Sequence, residues 1–345
     1  AVLPIISACA GNKGSDESRK EKMVQSVSVV QPITGTWINL AYKDVRNKYT
    51  NPQHFDNMDP KLWTAKVREL ANMGIEYLVF MEVANEGKAY YPSKLMPWLY
   101  NDKLQSPVDA ILDEAAKHGM KVFMSTGWAK DQDDNLLDPV IKERQLQIME
   151  ELASLYKNHK AFYGWYLPVE DCLCPIFAEH AVQSVNALTE KAHSLTPGKK
   201  TLISPYGIGL SEFDHPDFEK QMAKLKVDII AYQDEVGCVR DKFTLPRLKK
   251  NWQRMRDIHN RLNIEMWANC ETFTWEEGTN DRQSALIPAA YSRLLSQQVA
   301  ASVAGVDKII SFMFGGIIED PKSAYQLGQP VWSNNLYLSL IHISE

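Results

Sequence analysis

Eight apolar, β-rich runs recur along the chain at intervals of about 40 residues, and this rhythm limits the possible folds more than any other feature. They begin at Gly35 (GTWINLAY), Tyr77 (YLVFMEV), Val122 (VFMSTGW), Tyr163 (YGWYLPVE), Thr201 (TLISPYG), Asp228 (DIIAYQDE), Glu265 (EMWANCETF) and Lys308 (KIISFMFGG). Each run is continuous rather than alternating, as expected of strands covered on both faces in a parallel sheet. Helical patterns with start and stop signals separate them. Asp59-Pro60 opens one whose apolar stripe is Leu62, Trp63, Val67, Leu70 and Ala71, closed by Gly74. Ser106-Pro107 opens the next, which ends at Gly119, and Asp138-Pro139 starts a longer one to Tyr156. Pro175 begins a fourth, and His215-Pro216, Thr244 with Pro246, and Asp281–Val303 supply the rest.

Strand and helix in strict alternation predict a single-domain α/β protein, a (β/α)8 TIM barrel over residues 31–338 with a truncated C-terminal helix. A doubly wound open sheet would carry a glycine fingerprint after its first strand, and Trp37-Ile38-Asn39-Leu40 has none. Lys and Arg number 38 against 43 Asp and Glu, a net charge of −5, so no basic stripe offers itself to nucleic acid. The longest apolar run, Ile309–Ile318, is too short to span a bilayer.

The ends read differently. Ile6-Ser7-Ala8-Cys9 resembles a bacterial lipobox, which makes Cys9 the expected lipidation site and residues 1–30 the remnant of a lipoprotein signal plus a polar tether. An exported bacterial lipoprotein follows, in the periplasm or at the cell surface, held to the outer membrane by its lipid. The last residues (LSLIHISE) resemble translated adapter read-through, and 339–345 are read as a non-native tail.

Barrel active sites form at the carboxyl ends of the strands. There the runs deliver Asn39, Tyr42 and Asp44; Glu82, Asn85 and Glu86; Ser125, Trp128 and Asp131; Tyr166, Glu170 and Asp171; Ser204 and Tyr206; Tyr232, Gln233, Asp234 and Glu235; Asn269, Glu271 and Trp275; then Phe314 and Glu319. The set is acidic and aromatic. The eight histidines, at 54, 118, 159, 180, 193, 215, 259 and 342, all miss the strand ends, which argues against a hydrolytic metal site built on His. No Lys ends a strand for Schiff-base chemistry, and no Gly-x-Ser-x-Gly elbow occurs. No cofactor is implied.

Glycosidic bond cleavage needs only two carboxyl groups, one to protonate the leaving oxygen and one to attack the anomeric carbon or activate water. Glu170 and Glu271, ending strands 4 and 7, are the expected catalytic pair. Their segments, GWYLPVE and WANCETF, resemble the retaining glycosidases of clan A, whose acid/base ends strand 4 and whose nucleophile ends strand 7. That resemblance makes Glu170 the acid/base and Glu271 the nucleophile. Val169 stands where that clan usually has Asn. With YQDEVG, the same segments are more similar to an uncharacterised family of glycoside-hydrolase-like barrels on bacterial lipoproteins, the domain of unknown function 4434. Asp171, Asp234 and Glu235 are fallback acids.

Aromatic faces stack on sugar rings while polar edges bond hydroxyls. Asn39, Trp128, Tyr166, Tyr206, Tyr232, Gln233, Asn269 and Trp275 are therefore the expected substrate-binding residues for an oligosaccharide or polysaccharide. Tyr232 and Gln233 would orient the sugar or keep Glu271 ionised, Asp171 would raise the pKa of Glu170 as a neighbouring like charge, and Tyr90-Tyr91 could close one side of the cleft. Cys172, Cys174, Cys238 and Cys270 share this face. A bridge from Cys238 to Cys172 or Cys174 and plain packing of small thiols are both open. The alternative to hydrolysis is a non-catalytic glycan-binding barrel lipoprotein.

Overall fold

The computed structural model describes residues 30–40, 49–50, 59–98, 105–125, 138–238, 244–278 and 284–341. Cys9 and Trp128, and with them Tyr42, Asp44 and Asp131, lie outside the described residues. Eight strands form a closed barrel: β1 (Ile33–Ile38), β2 (Tyr77–Phe80), β3 (Lys121–Ser125), β4 (Phe162–Tyr166), β5 (Lys200–Ile203), β6 (Ile229–Gln233), β7 (Glu265–Glu271) and β8 (Lys308–Phe312). Every neighbour pair is parallel and β1 closes on β8, so all eight carboxyl ends open on one face.

The helices are α1 (Pro60–Asn72), α2 (Pro107–Lys117), α3 (Pro139–Tyr156), α4 (Glu179–Leu195), α5 (Phe218–Ala223), α6 (Leu245–His259), α7 (Tyr291–Ala304) and α8 (Pro330–Ile341). Their starts follow the predicted caps. Asp59, Ser106, Asp138 and Thr244 each accept a backbone N–H from the first turn, and proline occupies an early helical position beside each. Two starts differ from expectation. Helix α4 begins at Glu179, because Pro175 belongs to the loop after β4. Helix α7 begins at Tyr291 rather than near Asp281, because Leu286–Pro288 pairs antiparallel with Phe273–Trp275. Pro288 supplies no N–H and holds Ile287 extended, so a helix cannot run through it. Helix α8 runs to Ile341, past the expected barrel end at 338. Among the described residues no helix is long and apolar enough to cross a membrane.

The lumen is filled by aromatic layers. Tyr77, Phe123 and Trp267 meet at centroid distances of 5.0 to 6.5 Å, forming the lower layer. Gly35 makes room for it, since a Cβ there would lie 2.5 Å from Ile310 Cγ2 and 3.0 Å from Tyr77 Cβ. Above it, Trp37 packs edge-on against Tyr166 at 4.5 Å and Phe312 at 6.4 Å. Burying each such ring contributes roughly 1.5–3 kcal/mol. Side chains alternate along a strand, so Asn269 and Glu271 continue the lumen-facing row that Trp267 begins. This alternation aims the ends of β4 and β7 into the mouth.

No disulfide joins Cys172, Cys174, Cys238 and Cys270 to one another, so the bridge from Cys238 to Cys172 or Cys174 does not form. Cys172 Sγ instead accepts the Cys174 N–H at 3.3 Å. Tyr90 and Tyr91 are fully buried rather than flanking a cleft, and the Tyr91 hydroxyl donates to Glu151 on α3 at 2.8 Å. Glu319 is buried beside Lys66 at 3.2 Å and accepts the Leu327 and Gly328 N–H groups, so it fastens the loop after β8 to α1.

Candidate active site

Glu170 follows β4 and is half-buried at the mouth. The hydroxyl of Tyr166, four residues earlier at the end of β4, donates to its Oε1 at 3.3 Å. Burial raises the Glu170 pKa to about 7, and the Tyr166 hydrogen bond opposes that rise. Asp171 plays no part in it, contrary to expectation. Its carboxylate turns to His180 Nε2 at 2.6 Å and accepts the Cys172 N–H at 2.7 Å.

Glu271 ends β7 and is 4% exposed. Its Oε2 accepts the Cys238 N–H at 2.5 Å, delivered by the loop after β6. Gly237 permits that approach, since a Cβ there would sit 2.4 Å from the Phe273 carbonyl oxygen and 2.9 Å from Glu271 Oε2. Burial holds the Glu271 carboxyl well above its ordinary pKa, and the neighbouring Asp234 and Glu235 charges push the same way. The expected help from a Tyr232-Gln233 donor pair is absent. Gln233 Nε2 donates instead to the Ser204 carbonyl at 2.9 Å.

Tyr232 is the clearest correction. Its parity on β6 sends it out of the lumen, where its hydroxyl meets His259 Nε2 on α6 at 2.6 Å and its ring lies 6.3 Å from Trp252. It is fully buried in the helix layer and does not reach a sugar in the mouth. A continuous apolar run hides this parity, because neither face is marked by polar residues.

The remaining expected residues lie around the opening. Asn39 is half-buried at the end of β1. Tyr206, 40% exposed after β5, stands beside the Glu170 loop through its backbone pairing with Cys172. Asn269 donates Nδ2 to Ser204 Oγ at 3.1 Å inside the barrel. Trp275 is half-buried on the rim, its indole N–H given to the Cys238 carbonyl at 3.0 Å.

Residues 33–325 match the family described as Domain of unknown function (DUF4434). The chain belongs to this family. Over 144 residues it is also 29% identical to the glycosyl hydrolase DigH of Escherichia coli K12, covering 38% of this chain and 32% of DigH. The match therefore spans about a third of that relative. Among solved structures, a candidate α-L-fucosidase of Bacteroides thetaiotaomicron superposes with a TM-score of 0.69 at 21% identity, covering 98% of both chains. A family GH5_18 protein of Streptomyces cattleya in complex with GlcNAc gives 0.56 at 12% identity over 92% of this chain and 80% of its own. The intracellular xylanase of Thermoanaerobacterium saccharolyticum, in complex with xylotriose, gives 0.51 at 13% identity over 90% and 95%. At these identities the superpositions establish a shared barrel.

Within this DUF4434 barrel, the acidic corner holds more than the carboxyl pair. Asp234 is fully buried and accepts Gln297 Nε2 at 2.6 Å and the Glu271 backbone N–H at 3.1 Å. Arg293 Nη2 bonds the Glu271 and Phe273 carbonyl oxygens, each at 2.7 Å, and its charge opposes the rise in the Glu271 and Asp234 pKa values. Glu235, in the left-handed region at φ 54°, accepts the Gly207 N–H at 2.7 Å, and burial raises its pKa to about 7. Gly237, Arg293 and Gln297 were not legible as site residues, since only the meeting of β6, β7 and α7 gives them a role. Among the described residues no group of three or more His, Cys, Asp and Glu side chains is placed to hold a metal ion. The arrangement can donate a proton near neutral pH, and Glu170 and Glu271 stand at the carboxyl ends of β4 and β7, which open on the same face of the barrel.

Proposed function

We propose that this chain is a glycoside hydrolase in which Glu170 is the general acid/base and Glu271 the nucleophile, acting on an oligosaccharide or polysaccharide with retention of configuration. The observation that carries the reading is Glu170. Burial keeps its carboxyl protonated to about pH 7, which suits a group that must give a proton to a leaving sugar oxygen at neutral pH. Retention rests on the resemblance of the β4 and β7 segments to retaining enzymes. The sugar-bound states of barrels with this fold, one holding xylotriose and another GlcNAc, support a carbohydrate ligand. So does the name of the partial relative DigH.

A nucleophile must be ionised, and the corner around Glu271 favours its neutral form. That observation favours one second reading, a glycan-binding barrel that does not hydrolyse. A panel of glycans and aryl glycosides, assayed with wild type, Glu170→Gln and Glu271→Gln, separates the two. Hydrolysis by wild type that both variants lose supports the proposal. Binding without hydrolysis in all three supports the second reading. Lipid anchoring through Cys9 is a separate proposal supported by the Ile6–Cys9 run. It predicts that Cys9→Ser moves the protein from the membrane to the soluble fraction.

A further inference from the structure

Among the described residues two aromatic side chains are well exposed, Tyr206 at 40% and Trp332 at 47%. Trp332 belongs to α8 and leans edge-on against Tyr49 at 6.4 Å. Tyr206 stands in the loop after β5, on the barrel face that carries the acids. Its carbonyl accepts the Leu173 N–H at 2.8 Å, and its N–H donates to the Asp171 carbonyl at 3.3 Å. It therefore pairs in parallel with Cys172, two residues beyond Glu170. Paired strands run about 4.8 Å apart, so the Tyr206 main chain lies one strand spacing from the segment that Glu170 begins. The next N–H, that of Gly207, donates to the Glu235 carboxyl group at 2.7 Å. Gly207, at φ 88°, leaves the space that Cys172 Sγ fills, 2.6 Å from where a Cβ would lie. The Tyr206 ring is thus open to solvent, while its main chain is bonded to the acid-bearing loops after β4 and β6.

We propose that Tyr206 is the platform for the leaving-group sugar, its exposed ring stacking on the C–H face of the pyranose that departs. Resting on the glycosidase reading above, this role sets the substrate class. The leaving group is itself a sugar with one open C–H face, so the substrate is a saccharide chain rather than a glycoside of a small alcohol. In the first step a Glu271 oxygen bonds the anomeric carbon. The glycosidic C–O bond breaks with its electron pair on oxygen, and that oxygen takes the Glu170 proton. The leaving sugar keeps the oxygen, so it lies on the Glu170 side of the broken bond. The exposed ring bonded through its backbone to the Glu170 segment is that of Tyr206. Aromatic faces bury apolar area at low entropic cost, and a backbone fixed beforehand spares the ordering cost of a mobile loop.

The test separates a sugar leaving group from one with no face to stack. Xylotriose, cellotriose, chitotriose and mannotriose, and the glycosyl fluorides of the same sugars, are offered to wild type, Tyr206→Ala and Tyr206→Phe. Calorimetry reads binding and released saccharide reads cleavage. Tyr206→Ala should lower kcat/KM on a cleaved trisaccharide about three- to tenfold, the range of one lost aromatic contact. The matching fluoride should be turned over as in wild type. Tyr206→Phe keeps the ring and should match wild type on both substrates. Unchanged trisaccharide cleavage in Tyr206→Ala overturns the platform. So does equal loss on trisaccharide and fluoride, which would mean that truncation disturbs the Glu170 segment. Equal loss in Tyr206→Phe and Tyr206→Ala makes the hydroxyl the contact and overturns stacking. Cleavage of the fluorides with no trisaccharide bound or cleaved removes the platform and leaves the glycosidase reading standing. Trisaccharide binding without cleavage, weakened in Tyr206→Ala but not in Tyr206→Phe, keeps the platform and removes the chemistry. A wild type that acts on none of these substrates and binds none overturns the platform.

Discussion

The backbone N–H of Glu271 donates to Asp234 Oδ1 at 3.1 Å, fastening two buried acidic residues of neighbouring strands to each other. Burial, and after it the Asp234 charge, raises the Glu271 pKa, so Glu271 ionises only at higher pH than an exposed carboxyl group would. Asp234→Asn keeps an oxygen for the Glu271 N–H, and a turn of the Gln297 amide can meet the new Nδ2. The acid limb of the kcat/KM profile should therefore move to lower pH, since the ionised nucleophile now survives there. An unmoved limb would show that Asp234 carries no charge in the active form.

Tyr166→Phe should move the other limb. The Tyr166 hydroxyl stabilises the Glu170 carboxylate and holds its pKa below what burial alone would give. Without it Glu170 stays protonated to higher pH, and the alkaline limb of kcat/KM should rise from near pH 7. A downward shift would mean that Tyr166 acts by shaping the cleft instead.

These two charges differ in how far they could be read from the chain. The eight strands begin within a residue or two of the predicted runs, because a run buried on both faces is apolar throughout and its ends are marked by helix caps. The caps at Asp59, Ser106, Asp138 and Thr244 are local chemistry and equally legible. Parity was not. Nothing in DIIAYQDE says that Tyr232 faces α6 while Gln233 faces the lumen, so the run alone makes Tyr232 as good a sugar ligand as Gln233. Register was not legible either. Gln233 pairs with Asn269, and that alignment carries Asp234 to the Glu271 N–H. A sequence reading can name the acids of each strand end, but their coupling arises from the alignment of strands.

Gly237→Ala should cost both stability and activity. Its Cβ would lie 2.4 Å from the Phe273 carbonyl oxygen and 2.9 Å from Glu271 Oε2, and the first neighbour is backbone that cannot swing aside. Overpacking of this kind costs about 1–3 kcal/mol. The Cys238 N–H would also leave Glu271. Denaturant unfolding should show the loss, with kcat falling more than KM changes. A fully active, equally stable variant would show that this loop moves freely.

His259→Gln should flatten part of the pH dependence of stability. His259 is buried, accepts the Tyr232 hydroxyl at Nε2 and donates Nδ1–H to the Ile264 carbonyl at 2.9 Å, and burial lowers its pKa to about 4. The unfolded chain binds a proton near pH 6.5 that the folded chain refuses until about 4. Stability from this group is thus complete above 6.5 and falls as pH drops toward 4, by roughly 3 kcal/mol. The raised carboxyl groups act in the opposite direction, so the comparison must be between proteins. Gln preserves a donor and an acceptor without titrating. The wild-type advantage over His259→Gln should shrink between pH 7 and pH 4, and a constant difference would place His259 in its charged form.

Glu170→Ala and Glu271→Ala should fail in different ways. An acid/base matters most when the leaving group is poor, so an aryl glycoside with an activated leaving group should restore formation of the glycosyl-enzyme in Glu170→Ala. The missing base then limits turnover, and azide, which needs no deprotonation, should attack the intermediate to give a glycosyl azide of retained configuration. Glu170→Ala also removes the acceptor of the Tyr166 hydroxyl but leaves the Glu271 corner intact, since its contacts come from Cys238, Asp234 and Arg293. Loss of Glu271 leaves no group to attack the anomeric carbon, so activated substrates should not help, and the loss should exceed the ~10²–10⁴-fold typical of acid–base groups. Both variants are measured on one aryl glycoside with and without azide. If azide restores Glu271→Ala and yields an inverted product while Glu170→Ala stays silent, the site is active but the intermediate has another owner, and Asp234 or Glu235 becomes the residue to substitute next.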